Sequence, residues 1–266
     1  MSPPATHRPN IWSPLQLTWQ DSLVPWVIGS IVVGIAGAWL VWLATRRRWQ
    51  WSSALRSFLA SQTGETFSWL FRLAWLILPA YATLLMGLLS PRLMGLTQVS
   101  WGIDFASGVA FALFGGGILL IAGLSYRRSH TTPRQISSTS DSTVRAIRLI
   151  LEAGALQWHW AFYRAALIGS APAGTVDNLI AWGTWTAAAL VVTEGILSPL
   201  FWRDLRTPGL AERRVLRAVL LVATSVLYLI TANFWLAWAL HASVVLMLEP
   251  RFVSLVQPGI NDHEGV

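Results

Sequence analysis

Apolar residues along this chain come in long uninterrupted runs, separated by short polar stretches, with no strand-like alternation. A hydrocarbon layer of about 30 Å needs roughly 20 consecutive apolar residues of helix to cross it. Runs near 25–45, 68–90, 103–125, 177–200 and 214–231 meet that requirement. Two further segments are predicted to span on weaker patterns: 146–169 carries Glu152, His159 and Arg164, and 233–248 is short and holds His241. The expectation is an all-α, polytopic transmembrane helical bundle of about seven spans. Arg46, Arg47 and Arg48 follow the first apolar run, the reverse of a cleaved leader, so that span is expected in the mature protein.

The charges between the runs give an orientation. One set of loops collects Arg46, Arg47, Arg48 and Arg56, then Arg127, Arg128, Arg134, Arg145 and Arg148, then Arg203, Arg206, Arg213, Arg214 and Arg217, and finally Arg251. The opposite set has only Arg8 and Arg92. Basic residues mark cytoplasmic loops, so seven spans place the N-terminus outside and the C-terminus in the cytoplasm. The Ser/Thr-rich stretch 129–143 reads as a polar cytoplasmic linker between a three-span N-terminal scaffold, 25–128, and a four-span unit, 144–248. Residues 1–24 and 249–266 read as irregular tails. Segment 49–66 is too polar to span and carries aromatic residues, so it reads as lying along the membrane surface.

Composition sharpens this picture. Hydrophobic residues make up 54% of the chain and charged residues 12%, a balance that points to lipid, and 17 Trp suit a membrane boundary. A net charge of +7 on a soluble protein would suggest nucleic acid; here every cation is Arg and marks topology, so no nucleic-acid partner is expected. The expected surroundings are a lipid bilayer, the plasma (inner) membrane of a prokaryote. With no Cys, the chain has no disulfide, thiolate metal ligand or cysteine nucleophile.

Ionisable residues at membrane depth cost about 3 kcal/mol each even on mild insertion scales, so they are where function is sought. Beyond Arg72, the candidates are Glu152, His159, Arg164, Glu194 and His241, all after the linker. Glu152 and His159 are seven residues apart and share a helix face within roughly 20°, whereas Gln157 and Arg164 project elsewhere. The predicted arrangement is one polar cavity lined by His159, Glu194 and His241, with Arg164 organising it and Glu152 near its cytoplasmic mouth. Gln157, Asn178 and Asn233 are secondary polar contacts. For each residue the competing reading is a helix-pairing or interfacial polar group.

Residues 146–248 resemble the CAAX protease and bacteriocin-processing family of intramembrane proteases. The resemblance rests on LYLITANFW leading into the helix with His241, and on HWAFYRA, whose Arg164 matches the Arg of the family's EExxxR motif. Glu194 falls near the second motif, FxxxH. The paired glutamates fall on His159 and Trp160, the second-motif His has no counterpart, and the final Asn position is Val245. The resemblance implies an endopeptidase that activates water against a peptide bond of a prenylated or other membrane peptide. Two His and a Glu also have the composition of a metal site, so a divalent cation stays open as cofactor. Two other readings stand beside the enzyme: an inactive relative acting as a membrane binding or scaffolding protein, and a small transporter or channel.

Overall fold

The computed structural model describes residues 23–45, 57–58, 61–97, 103–130, 142–171 and 178–248. Among them every regular element is a helix: α1 (Val24–Thr45), α2 (Gln62–Leu85), α3 (Ile103–His130), α4 (Ser142–Ser170), α5 (Leu179–Leu197), α6 (Pro199–Leu205), α7 (Pro208–Thr231) and α8 (Phe234–Met247). Five stretches, Val24–Leu43, Gln62–Leu85, Phe105–Ser125, Leu179–Leu197 and Leu210–Thr231, are long and apolar enough to cross a membrane. They coincide with the five long apolar runs.

The two weaker segments are also helical, for different reasons. α8 has only 14 residues. α4 is long but polar, and it sits at the centre, where Trp160, Ala161, Phe162, Tyr163, Arg164, Ala165 and Ala166 are all buried. A helix enclosed by its neighbours need not match lipid, so its polar residues find partners on other helices. The surrounding helices instead expose large apolar side chains such as Leu40, Leu85, Leu113, Phe114 and Ile121.

Two boundaries differ from the sequence expectation. α2 starts at Gln62, capped by the Ser61 hydroxyl accepting from the Gly64 N–H at 3.1 Å, so 62–66 belongs to this helix and not to a surface segment. It ends at Leu85, short of residue 90, because Gly87 (φ +70°) takes a left-handed turn. The run 177–200 divides at Ser198, whose extended backbone precedes Pro199; proline lacks the N–H needed to continue α5 and instead opens α6. The tails 1–22 and 249–266, residues 46–56 and most of the linker, 131–141, lie outside the described residues.

Residues 86–97 roof the turn between α7 and α8. Leu93 O accepts from the Tyr228 hydroxyl at 2.7 Å, Gly95 O from the Phe234 N–H at 3.0 Å, and Leu96 O from the Trp235 indole at 3.2 Å. Gly95 is required there: its φ is +76°, and a Cβ would collide with the Ala232 carbonyl. The turn itself places Ala232 in the left-handed region (φ 47°). Asn233 then caps α8, its Oδ1 accepting from the N–H groups of Trp235 (2.8 Å) and Leu236 (3.2 Å).

Candidate functional site

α4 carries polar groups on two opposite faces, and each face builds a separate cluster. His159 and Tyr163 are four residues apart, hence on one face, with ring centroids 4.4 Å apart. α5 brings Glu194 to them. The Tyr163 hydroxyl donates to Glu194 Oε2 at 3.2 Å, and His159 Nε2 stands 3.5 Å from the same oxygen. That second approach is an ion-pair contact without hydrogen-bond geometry, so both imidazole nitrogens stay free of hydrogen bonds. His159 is 2% and Glu194 12% exposed, which places the pair in a low-dielectric setting where its electrostatics count for more than in water.

The first two helices complete this cluster. From α2, the Trp75 ring lies 5.0 Å from that of His159, and its indole N–H donates to Ser30 O on α1 at 3.0 Å. Ser30 Oγ is 3.5 Å from the Tyr163 hydroxyl. A Cβ on Gly34 would collide with Trp75 and lie 2.9 Å from Glu194 Oε1, so the bare glycine is what lets α1 close against both. Ser30, Gly34, Trp75 and Tyr163 are contributors that the sequence reading does not single out. Only Tyr163 leaves a trace there, four residues after His159.

Gln157 lies two residues before His159, or 200° around the helix, and faces the other way. Its amide nitrogen is 3.0 Å from His241 Nδ1 and donates to Thr224 Oγ1 at 3.1 Å, while the Thr224 hydroxyl donates to Leu220 O at 2.7 Å. The Gln157 amide and the His241 ring are thus within hydrogen-bond distance of each other. Trp160 stacks on His241 with centroids 5.4 Å apart and an interplanar angle of 23°. Further along α4, the Arg164 guanidinium lies 4.1 Å above the Tyr228 ring, and none of its three nitrogens has a hydrogen-bond partner.

The predicted single cavity is therefore divided. His159 and Glu194 meet; His241 and Arg164 belong to the opposite side of α4. Glu152 shares the His159 face but stands about 10 Å lower by helical rise. Its partners are Arg72 at 3.7 Å and Arg217 at 3.5 Å. Asn178 and Asn233 are spent as helix caps, Asn178 accepting from the Ala181 N–H at 3.0 Å. Among the described residues no group of three His, Asp or Glu side chains is placed to share a metal ion. His159, Glu194 and His241 do not form the two-His, one-carboxylate set that composition alone permits, because α4 stands between them.

No family model, curated protein or solved structure matches this chain.

Proposed function

We propose that the chain is a seven-span integral membrane protein, N-terminus outside and C-terminus cytoplasmic, in which His159 and Glu194 form an acid–base pair for hydrolysis of a peptide bond at membrane depth. The observation that carries this reading is the 3.5 Å approach of His159 Nε2 to Glu194 Oε2 inside the helical bundle. A carboxylate and an imidazole side by side can take a proton from water and return it to a leaving amine. In that role Glu194 accepts the proton as water oxygen adds to the carbonyl carbon. Glu194 hands that proton to His159, which delivers it to the nitrogen as the C–N bond breaks, so both groups return to their starting state; Tyr163 holds the carboxylate in place. The substrate class is a prenylated or other membrane peptide, as the CAAX-protease-like motifs imply.

A second reading, a non-catalytic bundle that binds a lipid or membrane partner, draws on one specific observation. Arg164 and His241, the two residues that match the family motifs, pack away from the His159–Glu194 pair. The two readings separate in one experiment: the full chain in nanodiscs is given a fluorogenic peptide bearing a prenylated cysteine. The enzyme reading expects cleavage that drops about 100-fold or more in Glu194→Gln and in His159→Asn. Absence of cleavage by the native chain, or rates equal in all three proteins, would leave the binding bundle.

A further inference from the structure

Glu152 faces two guanidiniums from two different helices. Arg72 on α2 and Arg217 on α7 both approach its Oε2, at 3.7 and 3.5 Å. A charge-assisted hydrogen bond is about 2.7–2.9 Å, so both arginines stand off from the carboxylate with N–H donors unspent on it. The three side chains are 36%, 29% and 24% exposed (Arg72, Arg217, Glu152), which leaves the cluster open to a ligand. Two positive charges against one negative leave an excess of one. Of the other charges nearby, Arg213 and Arg214 also bear on Arg217, Asp204 is committed to Arg214 at 2.7 Å, and Glu65 to Arg148 at 3.0 Å.

What borders the helices that carry this excess charge decides the kind of anion. Leu70 and Phe71 on α2, Leu151 on α4, and Val215 and Val219 on α7 are exposed on flanks of the same helix turns. Large apolar side chains exposed on helices of this kind face acyl chains, so the turns that carry the two arginines border lipid. We propose that Arg72 and Arg217 form a binding site for the phosphate of an anionic phospholipid, with Glu152 as a built-in competitor. Arg presents a planar fork of donors that matches phosphate oxygens, and basic pockets between membrane helices suit such headgroups. The acyl chains lie along the exposed apolar flanks of these helices while the phosphate displaces the distant carboxylate.

The test is native mass spectrometry of the full chain released from micelles holding equal phosphatidylglycerol and phosphatidylcholine. The native chain is expected to retain phosphatidylglycerol preferentially. Arg72→Gln/Arg217→Gln is expected to lower that retention on the order of tenfold, and Glu152→Gln to raise it severalfold by removing the competing charge. A purely structural ion triad predicts the reverse for Glu152→Gln, since its loss would loosen the helices and the lipid with them. No preference in the native chain, or weaker retention in Glu152→Gln, overturns the proposal. Displacement of phosphatidylglycerol by millimolar inorganic phosphate also overturns it, showing an anion site with no lipid requirement. If the double Gln variant does not fold, Glu152→Gln and phosphate competition still decide.

Discussion

Gln157 and His241 are joined across the α4–α8 interface at 3.0 Å, and the same amide nitrogen reaches Thr224 on α7. Three helices are thus tied through one side chain. Replacing Gln157 by Leu leaves the buried His241 nitrogen without this partner, which costs more than the bond itself is worth, while the Thr224 hydroxyl keeps its bond to Leu220 O. The expected result is a lower midpoint of thermal unfolding in detergent for Gln157→Leu. In a double-mutant cycle with His241→Leu, the coupling is expected to be about 1 kcal/mol, typical of hydrogen bonds between membrane helices. Additive losses would mean that the two side chains do not interact.

Arg164 makes the opposite prediction. The residue is 1% exposed, and among the described residues its guanidinium has no hydrogen-bond partner and rests on the Tyr228 ring. A cation–π contact returns about 2 kcal/mol in a desolvated setting, while burying an ion costs several. Arg164→Met, which keeps most of the volume and removes the charge, is expected to unfold at the same temperature as the native chain or higher. A marked loss of stability would show that the guanidinium has partners beyond the aromatic ring.

Asp204 supplies a pH dependence. Burial raises its carboxyl, but hydrogen bonds from Arg214 (2.7 and 3.1 Å) and Arg203 (2.9 and 3.1 Å) outweigh that and hold it below its ordinary value. A carboxyl depressed in the folded state contributes stability that is full above its unfolded value and lost as pH falls through the folded one. Thermal unfolding followed down into acid is expected to decline more steeply for the native chain than for Asp204→Asn. The two proteins should converge at the lowest pH, and parallel curves would sink the assignment.

Gly34 is expected to tolerate no side chain. In Gly34→Ala the methyl would strike Trp75 and crowd Glu194, an overpacking that costs typically about 1–3 kcal/mol. Shrinking the obstacle should recover part of that loss, so Gly34→Ala/Trp75→Leu is expected to be less destabilised than the sum of the single variants. Unfolding midpoints of the four proteins in one detergent measure this directly.

The long apolar runs are legible in the sequence because a lipid-facing helix must be apolar along its length, and α1, α2, α3, α5 and α7 each contain one. The division of α4 into faces is legible too, since spacing alone sets Gln157 against His159 and aligns Glu152 with His159. Which partner each face meets is not. Both Glu194 and His241 are ionisable residues in apolar runs, and nothing in their local sequence tells that α5 delivers one to His159 while α8 delivers the other to Gln157. Ser30 and Gly34 are harder still. A serine and a glycine in a first apolar helix look like any small residues that let helices approach, and only the packing of Trp75 reveals what they make room for.

The shortness of α8 has a consequence for the surrounding bilayer. Fourteen residues rise about 21 Å, roughly 9 Å less than a typical hydrocarbon layer, and the helix presents Trp235 and Met247, near its two ends, to the outside of the bundle. On the seven-span reading proposed above, lipids along that stripe compress or tilt to meet it, at a fraction of a kcal/mol for each ångström of hydrophobic mismatch. A seven-span protein with one span this short would favour thin patches of membrane and draw together with others that thin it in the same place.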